Sequence, residues 1–261
     1  VSRWMEDHAG LRTPLIKLHA ELTRKLKLTD ARFAVRGDDG WLFLAIDKAL
    51  QSHQGLHPFS TGEADQWLAG AAALKAAACG KPFIILIAPD KHTIYPEKLT
   101  RYPRRSERPT RLETLSTLAP AAGLGFTSPV SVLANAKSNG DVYYQVDSHW
   151  TFQGAYEGYR ALTKELAAQG IQVATIPPAR LEQDGQRESP ADLYGLLGVE
   201  NPPSTLTQRW RIKNPTTVLR EEILEDYEWK NVEAKQWTFN RDGAPRILIF
   251  GDSFFDGLYP F

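Results

Sequence analysis

The sequence predicts an α/β fold, a doubly wound parallel sheet flanked by helices with its chemistry at the carboxyl ends of strands. Three observations carry this reading. Apolar, β-branched runs alternate with helical patterns along most of the chain. Two of those runs, 142–146 and 246–250, end in Asp147-Ser148-His149-Trp150 and in Gly251-Asp252-Ser253-Phe254. The alternation loosens only over 177–243, which therefore reads as a β-rich or irregular insertion before the last strand.

Taken in order, Leu11, Leu15, Leu18, Leu22 and Leu26 recur at helical spacing, with Pro14 in the first turn. This N-terminal helical segment, 1–32, either packs on the domain or meets a membrane partner. Phe33 to Leu44 reads as strand, Gly-Asp-Asp-Gly turn, strand. Ser60 and Glu63 have capping-box spacing before a helix through Trp67, Leu68 and Leu74 that ends at Gly80. Pro82 to Ala88 is a continuous apolar run, expected as a buried central strand. Pro89-Asp90-Lys91-His92 at its end is placed by position on the rim of a site, where the alternative is a solvated turn.

Residues 109–122 predict a helix, Phe126 a short strand and 129–138 another helix. Thr151 caps the next helix, in which Ala155, Tyr156, Tyr159, Leu162 and Leu166 form one apolar stripe up to Gly170. Ile171 to Ile176 is strand-like. The insertion is either a substrate-covering cap or a packed β appendage. Its Trp210, Trp229 and Trp237 either stack on a ligand or fill a core.

At 261 residues, 42% hydrophobic and 10% aromatic, the chain is one large domain with a substantial core. Lysine plus arginine balance aspartate plus glutamate at 31 each, so nothing favours nucleic acid or an anionic surface. A polyanion would have to meet a local cluster, Arg101, Arg104, Arg105 and Arg108, which otherwise is a solvated loop. The single cysteine, Cys79, excludes an internal disulfide and reads as a small buried residue. The chain contains no apolar run long enough to span a bilayer.

The two strand ends offer complementary chemistry. Side chains two apart in an extended segment point the same way, so Asp147 and His149 share a face with Ser148 turned away. A carboxylate beside an imidazole fixes its tautomer and leaves the other ring nitrogen for a hydroxyl, which Ser253 supplies. Backbone N–H groups of the Ser253 turn face the same space and suit an oxyanion. The bland alternative is an ordinary Asp/Ser turn after a strand. Reading Asp147 and His149 as metal ligands finds no cysteine-rich pattern to support it, and no metal or other cofactor is expected.

Gly251-Asp252-Ser253-Phe254 with an Asp-x-His pair elsewhere resembles the SGNH hydrolases. The form Asp147-Ser148-His149-Trp150-Thr151, placed before the serine block, is similar to the polysaccharide O-acetyltransferases of the AlgX/AlgJ type, in which motif order is permuted. Gly37-Asp38-Asp39-Gly40-Trp41-Leu42-Phe43-Leu44 and Ala88-Pro89-Asp90-Lys91-His92-Thr93-Ile94-Tyr95-Pro96-Glu97 agree with that family. The resemblance implies an SGNH-like catalytic domain over 33–261 with Ser253, His149 and Asp147 as catalytic residues. It implies an exopolysaccharide acceptor, and acetyl groups delivered by a membrane-bound acyltransferase. It also implies a periplasmic protein whose export signal or anchor lies outside this chain. Lys91, His92 and Trp150 are the candidates for substrate contact. Only Phe254 to Phe261 follow Ser253, too few for the helix expected there, so further residues are expected beyond Phe261. An esterase or polysaccharide deacetylase using water would share the same residues. A polysaccharide-binding scaffold would keep the fold without using them.

Overall fold

The computed structural model describes residues 33–188, 191–199, 202, 206–214, 218–223, 235–239, 247–258 and 261. The N-terminal segment 1–32 and Trp229 lie outside the described residues.

Strands β1 (Ala34–Arg36) and β2 (Leu42–Leu44) pair antiparallel around Asp38–Gly40, as the turn sequence predicts. Helix α1 (Ala49–His53) follows. Helix α2 (Thr61–Ala77) opens on a capping box in which Ser60 and Glu63 satisfy each other's backbone N–H groups. Beyond it Cys79 is exposed in a left-handed conformation, φ 50°, not buried in the helix as expected. The helix has already stopped at Ala77, so this residue belongs to its terminal turn.

Strands β3 (Ile84–Leu86) and β4 (Gly125–Thr127) pair in parallel. The connection carries the single turn α3 (Lys91–Ile94) and α4 (Arg111–Ala121), itself opened by a Thr110–Glu113 capping box. Alternation along β3 splits its side chains between two layers. Ile85 and Ile87 join Phe126, Leu115, Ala119 and Ala71 beneath α2 and α4. Leu86 and Ala88 face the larger cluster, with Leu133, Tyr143, Trp150 and Ala155. That second face is covered by α5 (Val130–Ala136) and α6 (Phe152–Ala168). Helices on both faces of a parallel pair are the local form of the predicted doubly wound arrangement.

The sheet is less extensive than the apolar runs suggest. Residues 142–146 form no strand. Instead an isolated antiparallel bridge joins Tyr143 to Trp150, and the chain turns between them. Residues 171–176 are likewise without strand pairing and are held by Tyr156, whose hydroxyl donates to Ile176 O, and by Tyr159. Residues 247–250, expected as a buried strand, are exposed, with Leu248 81% and Phe250 83% accessible. An apolar run becomes a buried strand only beside another strand, and among the described residues β3 is paired with β4.

Within 177–243, β5 (Leu181–Glu188) pairs antiparallel with β6 (Leu206–Ile212), and β7 (Val218–Ile223) with β8 (Lys235–Phe239). Between β5 and β6 a short helix, α7 (Asp192–Leu196), sets Leu193 against Ala34, Leu42 and Val146. Trp210 is half-buried and stacks on Phe152 at 6.5 Å, at the first residue of α6. Phe152 also meets Phe261, at 5.1 Å.

Candidate active site

The site is assembled at two turns, one before α6 and one before the 3-10 segment Phe255–Leu258. The first is closed by backbone bonds: Tyr144 N–H donates to His149 O, and Thr151 N–H to Val142 O. Thr151 then caps α6 by accepting from Gly154 N–H. Only glycine fits at 154, because a Cβ there would lie 2.0 Å from Val142 O. The second turn docks on the first through Trp150, whose indole N–H donates to Phe254 O at 3.0 Å. Gly257 fits beneath the same indole, where an added Cβ would lie 2.4 Å from Nε1.

These turns bring three side chains into one hydrogen-bonded chain. His149 Nδ1 is 2.7 Å from Asp147 Oδ1, and His149 Nε2 is 2.7 Å from Ser253 Oγ. An ionised carboxylate only accepts, so Nδ1 carries the proton and Nε2 is left to accept from the serine hydroxyl. Phe254 lies against the imidazole, ring centroids 5.0 Å apart. Ser253 itself is exposed, whereas Asp147 is 2% accessible.

Burial would push the Asp147 carboxyl up. Its bonds from the His149 side chain and backbone, and from Asp192 N–H, outweigh that and hold it below the usual range. His149 is pushed up, first by its hydrogen bond to Asp147 and against its own partial burial. The pair is therefore poised with a firm carboxylate and a more basic imidazole.

Lys91 and His92 lie beneath the site, 3% and 2% accessible, not on its rim. A one-turn helix follows Pro89 and turns both side chains inward. Lys91 Nζ donates to Tyr144 O, Gln145 O and Asp147 O at 3.0, 3.2 and 2.8 Å, which uses all three ammonium hydrogens. Burial pulls its pKa down to about 7, against the attraction of Asp192 and Asp147. His92 bonds Leu44 O at 2.8 Å, and burial lowers it to about 3. Trp150 is 4% accessible and belongs to the core. None of these three side chains is presented to an incoming substrate.

Asp192, absent from the sequence reading, stands at the site. Its carboxylate accepts from Ser148 N–H at 2.9 Å and from the Ser148 hydroxyl, and its own N–H donates to Asp147 Oδ2 at 3.2 Å. The one available signal was an acidic residue opening a short apolar run, Leu193, Leu196 and Leu197, inside an otherwise irregular stretch. Asp147, His149 and Asp192 each bring a donor atom within 4.8 Å of the others. These donors already bond to one another or to Ser148, so a cation would have to displace those bonds. Of the basic cluster, Arg104 is engaged within its own loop by Ser106 O, Arg108 O and Glu113.

Comparison with known proteins gives the family. A curated relative, the probable alginate O-acetylase AlgJ of Pseudomonas aeruginosa, is 28% identical over 134 residues, 51% of this chain and 32% of that protein. The chain thus spans about a third of that relative's length. Among solved structures, the O-acetyltransferase domain of Pseudomonas putida AlgJ superposes with a TM-score of 0.48 at 20% identity, covering 70% of this chain and 67% of that one. Bacillus cereus PatB1 gives 0.49 at 14% identity, with 78% and 66% covered. The family described as the SGNH hydrolase-like domain of the acetyltransferase AlgX matches residues 34–259. With that match spanning nearly the whole sequence, the chain belongs to the SGNH hydrolase-like acetyltransferase family of AlgX.

Proposed function

We propose that this chain is a serine-dependent O-acetyltransferase that moves an acetyl group to hydroxyls of an exopolysaccharide. The observation that carries the reading is the pair of 2.7 Å contacts joining Asp147, His149 and Ser253. Ser253 Oγ attacks the acetyl carbonyl of the donor while its proton passes to His149 Nε2. The tetrahedral oxyanion is held by backbone N–H groups, that of Ser253 being the first available. As the donor's C–O bond breaks, its leaving oxygen takes the proton from His149, and an acetyl-serine remains. An acceptor hydroxyl then gives its proton to His149 Nε2 and attacks the acetyl carbon; as the acetyl–Oγ bond breaks, Ser253 Oγ takes that proton back and His149 is again neutral. Asp147 holds Nδ1–H throughout and stabilises the imidazolium.

Family membership supports acetyl transfer, and the name of the AlgJ relative supports a polysaccharide such as alginate as acceptor. A membrane-bound acyltransferase then supplies the acetyl groups, and the reaction takes place in the periplasm. Among the described residues no helix is long and apolar enough to cross a membrane. The segment 177–243 acts as the acceptor-holding cap, with Trp210 beside Phe152 as its one aromatic contact described at the base of α6.

The test supplies a small acetyl ester and a deacetylated oligosaccharide and follows the oligosaccharide by mass spectrometry. Acetyl groups gained by the wild-type protein and not by Ser253→Ala are the expected result. Because Ser253 is exposed, water competes for the same intermediate. Free acetate as the sole product across several polysaccharide acceptors would establish an esterase instead.

A further inference from the structure

Asp192 places a second carboxylate beside the imidazole. Its Oδ2 lies 3.9 Å from His149 Nδ1, against 2.7 Å for Asp147 Oδ1. It belongs to α7, on the stretch between β5 and β6, and not to either motif that builds the rest of the site. Three bonds tie it there: Ser148 N–H and Ser148 Oγ–H donate to its carboxylate, and its N–H donates to Asp147 Oδ2. The consequence is geometric. Ser148 Oγ lies 3.4 Å from His149 Nδ1, well beyond the 2.7 Å contact that Nδ1 makes with Asp147, and its proton goes to Asp192. Asp147 is secured at the same time, with one oxygen on His149 and the other on the Asp192 backbone.

We propose that Asp192 is a positioning residue for the acyl transfer. It fixes the Ser148 turn and the second oxygen of Asp147, which keeps Asp147 Oδ1 on Nδ1–H, and its negative charge strengthens His149 as the base. This rests on the reading of Ser253, His149 and Asp147 given above. It makes α7 a working part of the active site, anchored by Leu193 in the cluster with Ala34, Leu42 and Val146. Among the described residues, the charged groups facing His149 are Asp147, Asp192 and Asp252. From below, Lys91 faces Asp147 and Asp192, and Arg187 on β5 covers the Tyr144 ring at 5.9 Å. Asp192→Asn keeps the shape and the backbone N–H and removes one of three negative charges from the imidazole.

The experiment measures kcat and KM for a small acetyl ester across pH with wild type, Asp192→Asn, Ser148→Ala and Ser253→Ala. Asp192→Asn should keep KM within about twofold, lower the plateau kcat, and carry the acidic limb to lower pH. If the limb moves by about half to one pH unit, activity at its acidic end, relative to plateau, rises about three- to tenfold. Ser148→Ala should keep the limb and lower kcat by about ten- to a hundredfold, the effect of losing one hydrogen bond to a charged group. A residue that only supports the fold would leave the limb in place, so an unmoved limb in a folded Asp192→Asn overturns the proposal. Should Asp192→Asn fail to fold, Ser148→Ala decides, and an unchanged kcat there overturns it. Wild-type activity in Ser253→Ala would overturn the acyl-transfer reading itself. An inactive Ser253→Ala beside a wild-type-like Asp192→Asn would remove only the role given to Asp192.

Discussion

His149 Nε2 and Ser253 Oγ lie 2.7 Å apart although 104 positions separate them in the chain. Neither turn makes that contact by itself. It exists because Trp150, the residue after His149, bonds to Phe254 O, the residue after Ser253. Each reactive side chain is thus fixed by its neighbour's packing. For the proposed nucleophile–base pair such rigidity matters, because efficiency falls steeply with misplacement.

Ser253→Ala and His149→Ala should each reduce kcat for a small acetyl ester by on the order of 10⁶-fold, and the double variant should be little worse than either. Asp147→Asn should lose about 10⁴-fold, through the wrong imidazole tautomer. Steady-state kinetics of the four proteins check this. Independent, multiplying losses in the double variant would show that the two residues do not act as one unit.

The pH dependence follows from His149. Its bond to Asp147 raises its pKa above the ordinary 6.5, and the base must be neutral to take the serine proton. The expected kcat/KM profile therefore falls on the acidic side with a midpoint above 6.5. Stability runs the other way: a raised folded-state pKa contributes stability at low pH, lost as pH rises through that value. A midpoint below the ordinary histidine value in the rate profile would contradict the assignment.

Lys91→Met should destabilise the protein by about 2–4 kcal/mol, because the carbonyls of Tyr144, Gln145 and Asp147 lose their buried donor. Arginine should not rescue it, since a planar fork cannot replace a compact ammonium among three converging oxygens. Denaturant titration measures the loss. Full stability in the methionine variant would mean that the turn is held elsewhere.

Gly257→Ala should cost about 1–3 kcal/mol, as expected of overpacking. The added methyl meets Trp150 Nε1 and, at 3.0 Å, Ala155 Cβ. The indole should yield first, and its bond to Phe254 O carries the Ser253 turn with it. We expect kcat to fall more than tenfold while the fold survives, with melting and kinetics measured on one preparation. Unchanged kcat would show that Ser253 is placed independently of Trp150.

The amino-acid sequence by itself determined the local chemistry. Capping residues at Ser60 and Thr151, the turn at Asp38–Gly40 and the two strand-end motifs are set by bonds within a few residues, and all are readable from spacing. It also carried the family, because four motifs occur in a particular order. Tertiary structure alone decided which polar groups face the cleft. An apolar run such as 142–146 or 247–250 signals burial or strand character without naming a partner, and here neither forms a ladder strand. Lys91 reads as a rim residue because it follows the carboxyl end of the apolar run 82–88. Three carbonyls from residues 53 to 56 positions away draw it inside instead. Asp192 had no motif to announce it, since its partners, Asp147 and Ser148, lie more than forty residues earlier. Long-range pairing of this kind depends on where α7 packs, and packing is a property of the whole core.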